Sequence, residues 1–305
     1  MKQFFFLFIL LSAFSSFAQN QLYRDSIYNY KKVVKETYDF ITVNDEKLEF
    51  DFYKAKEASG LMPLIIYVHG GGFVSGQRDT KGIIQFAKRM ASRGYAVASV
   101  SYRLTMKDVG FGCETAIEEK KRAINDASGD VLMAVKKILG ETSIFQIDKE
   151  KIVLLGSSAG AETVLNLAYM TDYSKEIEGI KFAGVISMAG ALIDLNSINF
   201  ENAIPTQMFH GTGDPLVPYG IAAHHFCPNN DPGYLMLYGS SSIAERLKGM
   251  GKSYYLYSVT GGGHEWAGKP IYSCFTDIVD FLYNDVMSPS IKRQTERTIV
   301  IPYNE

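Results

Sequence analysis

The sequence predicts an α/β fold, a mostly parallel sheet with helices on both faces. Three observations carry that expectation. Short runs such as Pro63–Val68 and Lys151–Leu155 are apolar without alternation, the pattern of strands buried on both faces. Stretches with apolar residues at helical spacing separate these runs, so strands and helices alternate along the chain. No internal repeat or linker-like composition shift interrupts the sequence. Residues 19–305 therefore read as one domain, although a chain of 305 residues could hold two.

Residues 19 to about 37 are polar and Tyr-rich, a surface arm or short helix. Lys47–Tyr53 alternates, with Leu48, Phe50 and Phe52 on one face and Lys47, Glu49 and Asp51 on the other. This reads as a half-buried strand paired antiparallel with Tyr38–Val43. Pro63–Val68 is a central strand, Lys81–Arg93 a helix that Gly94 ends, and Tyr95–Val100 another strand. Leu104–Thr115, with two glycines, is a loop or part of a small lid. Ala116–Leu139 is one long helix, or two broken at Gly129. After Lys151–Leu155 comes a helix over Ala161–Met170. Strands then fall at Phe182–Met188, Pro205–His210 and Ser253–Val259, with helices at Ala244–Met250 and Ile271–Met287. Ser288–Glu305 is polar apart from a small apolar island, Ile299–Pro302, and suggests no function.

A composition of 47% hydrophobic and 21% charged residues supplies a sizeable core. The net charge of −2, without a clustered Lys/Arg stripe, argues against nucleic-acid binding. Residues 1–18 place Lys2 before the apolar run Phe4–Leu11 and end on small residues at Ala18, the pattern of a signal peptide cleaved before Gln19. The apolar run is too short for a membrane span, so the expectation is a secreted or periplasmic protein without stable membrane insertion. In an oxidising compartment Cys113, Cys227 and Cys274 allow one disulfide and one leftover thiol, in any of three pairings; three buried thiols fit as well. Oligomeric state is not legible.

The stretch on which the rest is organised is Gly156-Ser-Ser-Ala-Gly160. It lies between a buried strand and a helix, the context in which a Gly-x-Ser-x-Gly turn pushes its central residue, Ser158, out above a sheet. A serine hydroxyl attacks only with a base beside it, commonly a histidine held by a carboxylate. Of the five histidines, His264 follows the last predicted strand in a Gly-rich turn, where an imidazole can reach over the sheet. The acid falls between Ser158 and His264 in sequence. Asp214, directly after the Pro205–His210 strand, is favoured over Asp194, which follows Phe182–Met188 at a greater distance. His69-Gly-Gly-Gly-Phe73 follows the Pro63–Val68 strand. Its unobstructed N–H groups at Gly71 and Gly72, with that of Ala159, suit a developing oxyanion. His69 reads as a brace for the glycine loop, and His210 as a local hydrogen-bonding partner. His224 and His225, beside Cys227, read as an exposed helix face rather than a metal site, and nothing else has metal-ligand spacing. Leu104–Asn125 and Cys227–Ser242 are the expected pocket walls.

With these residues in place the chain resembles the esterase/lipase branch of the α/β-hydrolase superfamily, over roughly residues 38–286. The resemblance implies an eight-stranded, mostly parallel sheet and a serine hydrolase working through an acyl-enzyme, without cofactor or metal. Gly156-Ser-Ser-Ala-Gly-Ala161 departs from the Gly-Asp-Ser-Ala-Gly-Gly of hormone-sensitive-lipase-like esterases. His210-Gly-Thr-Gly-Asp214 with Val217-Pro218 is more similar to acetylxylan, feruloyl and related carbohydrate esterases, or to the prolyl-oligopeptidase group. The implied substrate is a small-molecule or carbohydrate ester. A peptidase and a non-catalytic binding protein on a hydrolase scaffold are the alternatives.

Overall fold

A computed structural model describes residues 21–169, 179–289 and 291–300. The expected signal peptide, and Met170 at the end of the helix after Ser158, lie outside them. The elements run β1 (Val33–Val43), β2 (Glu46–Ala55), β3 (Met62–Val68), α1 (Lys81–Ala91), β4 (Ala96–Val100), α2 (Ile117–Gly140), α3 (Thr142–Phe145), β5 (Ile147–Ser157) and α4 (Ala159–Tyr169). They continue with β6 (Phe182–Met188), β7 (Ala191–Leu192), β8 (Thr206–Gly211), β9 (Ile221–Ala223), β10 (Met236–Gly239), α5 (Ser240–Gly249), β11 (Tyr254–Thr260), α6 (Pro270–Ser273), α7 (Phe275–Phe281) and β12 (Gln294–Val300).

The main sheet has nine strands in the order β1-β2-β4-β3-β5-β6-β8-β11-β12, one more than the resemblance implies. The first two strands form an antiparallel hairpin, and β2 meets β4 antiparallel. From β4 onward every neighbour is parallel. The hairpin closes through Asn44 and Asp45, both at positive φ (49° and 65°), the backbone a two-residue turn needs to match strand twist.

β3, β4 and β6 are buried almost throughout, as are β8 and the later half of β5, because helices cover both faces of the sheet. On one face α2 and α4 pack Val131, Leu132, Val164 and Leu165 onto Leu64, Ile66 and Leu154. On the other, α1 and α7 set Phe86, Met90, Ile278 and Phe281 against Ile65, Tyr67 and Val153. Helix α1 begins at Thr80, whose hydroxyl accepts from the Ile83 N–H, and the chain leaves it through Gly94 at φ 100°. Gly129 does not break α2, which is continuous.

Several expectations are corrected. Asp51 is fully buried rather than on a solvent face: Thr37 donates to it, and Lys35 and Arg78 pair with it. The polar tail, for which no element was expected, forms β12, which extends the sheet parallel to β11. It exposes most of its side chains and is held by Arg293 on Asp285 and Arg297 on Asp277, so apart from Ile299 and Val300 its sequence is polar; the rest of the apolar island lies outside the described residues. The closing helix breaks into α6, α7 and a π-helical turn over Leu282–Met287. A small second sheet, β7-β10-β9, has strands too short to leave a pattern in the sequence.

Candidate active site

Parallel strands share one carboxyl edge, and four of them deliver the site. His69–Phe73 follows β3, Ser158 follows β5, Asp214 lies after β8 and His264 after β11. Ser158 sits at φ 51°, a conformation that non-glycine residues adopt only where surrounding structure imposes it. That structure is visible. A Cβ on Gly160 would collide with the carbonyls of Val68 and His69, and one on Gly156 with the carbonyl of Gly160. Strand and helix therefore pack without room for side chains. Gly190, in turn, lies directly against the methyl of Ala161. Ser157 donates to the Ala267 carbonyl at 2.7 Å, tying the nucleophile turn to the short helix His264–Ala267. Of the two departures from the hormone-sensitive-lipase pattern, Ser157 thus makes a local hydrogen bond and the Ala161 methyl fills the space that Gly190 leaves.

The three side chains named from sequence form one hydrogen-bonded chain. Ser158 Oγ is 2.8 Å from His264 Nε2, and His264 Nδ1 is 2.8 Å from Asp214 Oδ2. Facing a carboxylate, Nδ1 carries the proton, which leaves the Nε2 lone pair to accept the serine O–H. Burial works to raise the Asp214 carboxyl. Hydrogen bonds from His210, His264 and the Leu216 N–H overcome it and hold the group well below the usual carboxylate range. Its Oδ1 also accepts from the Leu216 and Val217 amides at 2.9 and 3.0 Å. Asp194, the rival acid, caps the turn Leu195–Ser197 by accepting from Asn196 N.

The glycine loop runs through three successive positive φ angles, at Gly71 (127°), Gly72 (61°) and Phe73 (58°). Phe73 tolerates this because its ring is fully buried against Tyr102 and Phe111. His69 braces the loop, as expected: Nδ1 donates to the Gly70 carbonyl at 2.8 Å and the ring stacks on Tyr102. Among the described residues no backbone bond uses the N–H of Gly71, Gly72 or Ala159. His210 is also local: its Nε2–H is shared between Val217 O at 3.1 Å and Asp214 Oδ2 at 3.4 Å, while Nδ1 faces Ser240 Oγ at 2.8 Å.

These groups border a cleft of about 570 Å³, of ordinary ligand-site size. Of the expected walls, Leu104–Asn125 supplies Phe111, whereas Cys227–Ser242 contributes nothing to the lining. The second wall is Leu216, Val217, His224 and His225 instead. The reading of His224 and His225 as an exposed helix face is therefore wrong. His224 is buried, its Nδ1 is 3.2 Å from Lys120 Nζ, and its ring meets Phe111 edge-on. Among the described residues, no group of three or more His, Cys, Asp or Glu could hold a metal ion. Cys113 and Cys227 form the disulfide, joining the Phe111 wall to the histidine wall, and Cys274 remains a buried thiol. Breaking that bond with Cys113→Ser is expected to cost about 2–4 kcal/mol and lower Tm by roughly 5–10 °C, read by calorimetry.

Glu162 is not singled out by the sequence reading, although it is the one charged residue of the helix that follows Ser158. It is buried one turn into α4 and lines the cleft. Burial pushes its carboxyl up to about 8, against the pull of Lys120 and with a further push from Asp214. The unfolded carboxyl ionises near pH ~4.3 while the folded one keeps its proton, so Glu162 weakens the fold progressively as pH rises from there towards about 8. Glu162→Gln is expected to raise Tm relative to the parent at pH 8, with the gain disappearing at pH 4.

Fold and site together place a serine, a histidine and an aspartate on one edge of a mostly parallel α/β sheet. Residues 50–198 match the BD-FAE family model, a stretch holding the glycine loop and Ser158 but ending before Asp214 and His264. The chain is similar to gut esterase 1 of Caenorhabditis elegans, 33% identical over 132 residues, 43% of this chain and 22% of that one. It is also similar to probable carboxylesterase 6 of Arabidopsis thaliana, 33% identical over 132 residues, 41% of this chain and 35% of that one. The chain thus spans well under two thirds of the length of these relatives. Among solved structures, Thermogutta terrifontis esterase 2 phosphorylated by paraoxon superposes with a TM-score of 0.60 at 18% identity, covering 81% of this chain and 93% of that one. Esterase Est22 gives 0.57 at 16% identity, covering 86% and 85%. The chain is thus similar to esterases over the glycine loop and the serine turn, and it shares the α/β fold of the solved esterases.

Proposed function

We propose that the protein is an exported serine carboxylesterase that removes small acyl groups, acetyl or feruloyl, from carbohydrate. The observation that carries the reading is the unbroken chain from Ser158 Oγ through His264 to Asp214, 2.8 Å at each link. His264 Nε2 takes the hydroxyl proton as Ser158 Oγ attacks the ester carbonyl carbon. The resulting oxyanion is met by the N–H groups of Gly71, Gly72 and Ala159, each donor of this kind being worth roughly 10²–10³ in rate. Collapse expels the alcohol, which leaves with the proton from His264. Water then repeats the attack on the acyl-Ser158 ester, and His264 serves as base a second time. Asp214 keeps Nδ1 protonated and stabilises the imidazolium formed in each half-reaction.

Two things support the carbohydrate-ester part. The matched family's name denotes bifunctional acetyl xylan/feruloyl esterases, and such substrates lie outside the cell. Export is supported by the leader-like residues 1–18 and by the Cys113–Cys227 bond, which belongs to an oxidising compartment. The test is a panel of acetyl, butyryl and octanoyl p-nitrophenyl esters, acetylated xylan, a feruloylated sugar and a proline peptide amide. Cleavage of acetylated xylan or the feruloylated sugar supports the proposal. Cleavage of the peptide alone, or of no ester, refutes it.

A further inference from the structure

The strongest unexplained feature of the cleft is Glu162. Its residue is only 2% exposed, and Oε1 is fully buried with no hydrogen-bond partner. A buried carboxyl oxygen without a partner is costly unless something that binds there supplies one. The nearby cation does not: no ion pair among the described residues joins Lys120 to Glu162. Lys120 Nζ instead donates to the Gly233 carbonyl at 2.8 Å and to His224 Nδ1 at 3.2 Å.

That second bond fixes the histidine. An ammonium has only donors, so His224 Nδ1 accepts and the neutral ring carries its proton on Nε2. Burial, with His225 and Lys120 close by, holds the ring far below the usual imidazole range, so it stays neutral. Glu162 and His224 both line the cleft that contains Ser158. One brings an unused acceptor, the other an N–H donor. The charge of Lys120, bonded to His224 and acting on Glu162, disfavours a cation, and the carboxyl lone pairs disfavour an anion. A neutral group that both donates and accepts satisfies the pair. The protonated Glu162 carboxyl can also donate as well as accept, which suits the same partner.

From this juxtaposition we infer that Glu162 and His224 form a polar subsite that selects substrates carrying a hydroxyl close to the scissile ester. The inference rests on the esterase reading of Ser158 and adds a selectivity that reading does not require. The hydroxyl could belong to the acyl group or to the alcohol, and matched substrates separate the two. For the acyl arm the pair is p-nitrophenyl butyrate and p-nitrophenyl 3-hydroxybutyrate. For the alcohol arm it is cyclohexyl acetate and the monoacetate of cyclohexane-1,2-diol. The quantity read is kcat/KM for the hydroxylated member divided by that for the plain member.

The parent enzyme is expected to favour the hydroxylated member at least about tenfold in one arm, because sites built around a hydroxyl reject the analogue lacking it. Glu162→Leu is expected to reduce that ratio at least about tenfold, and Glu162→Gln to keep it within about threefold, since the amide retains donor and acceptor. His224→Phe, which keeps an aromatic ring without the N–H, should also reduce it and carries the test if the leucine variant does not fold. A ratio near one in both arms, or equal losses on both members in the leucine and phenylalanine variants, overturns the subsite. If the parent cleaves no ester, the esterase reading fails instead. Saturation-transfer NMR of cyclohexane-1,2-diol on the parent and Glu162→Leu then decides the subsite separately. A transfer signal that the parent gives and the variant does not supports the subsite; a parent that gives no signal overturns it.

Discussion

Ser158→Ala is expected to lower kcat for p-nitrophenyl acetate by roughly 10⁴–10⁶, with Tm within about 2 °C of the parent. The size follows from the chemistry. Alanine has no atom to attack with, so the acyl-enzyme route closes entirely, and whatever remains must come from the cleft and the glycine loop acting on water. The fold survives because the strained backbone at Ser158, φ 51°, is imposed by the approach of Gly156 and Gly160 to their neighbours and not by the hydroxyl. Steady-state kinetics on protein of matched Tm checks it. A variant keeping a tenth of the parent rate would mean that another group is the nucleophile.

Asp214→Asn is expected to lower kcat by about 10⁴ with little change in KM. The asparagine has nearly the same shape and can still accept from the Leu216 and Val217 amides, which now hold the carboxylate at 2.9 and 3.0 Å. It can also present an N–H to His264 Nδ1. The ring would then accept there and carry its proton on Nε2, facing Ser158 with a donor where a base is required. The imidazolium formed during attack would lose its countercharge as well. Unchanged kcat would show that Asp214 only supports the turn. Asp194 would not replace it, because its side chain is committed to the N–H of Asn196.

How much of this was legible in the sequence depended on how local each signal was. β3, the later half of β5 and β6 are buried on both faces and therefore read as apolar runs. Ser158, Asp214 and His264 each follow a strand within a few residues, in turns rich in glycine or proline. Their convergence then follows from the parallel sheet alone. β12 was not legible: as an edge strand it is held by Arg293 and Arg297 ion pairs, so its sequence looks like tail. Asp51 looked solvent-facing by alternation, and Lys35 and Arg78 close over it. His224 was misread for a similar reason. Its burial comes from Lys120, 104 residues away in sequence, and from Phe111. The Cys113–Cys227 pairing spans 114 residues, and nothing in the spacing of three cysteines selects it. Glu162 left a local signal too, as the single carboxylate on the helix beside the nucleophile, but nothing in the sequence says that it is buried.

Every catalytic step above requires Ser158 to be a nucleophile activated by His264, and covalent labelling tests that most directly. After incubation with a fluorophosphonate and peptide mass spectrometry, one adduct is expected, on the peptide containing Ser158. Labelling should be lost in Ser158→Ala and slowed at least about a hundredfold in His264→Ala, since a serine without its general base is a poor nucleophile. An unlabelled parent, an adduct on another residue, or a His264→Ala variant labelled at the parent rate would contradict it.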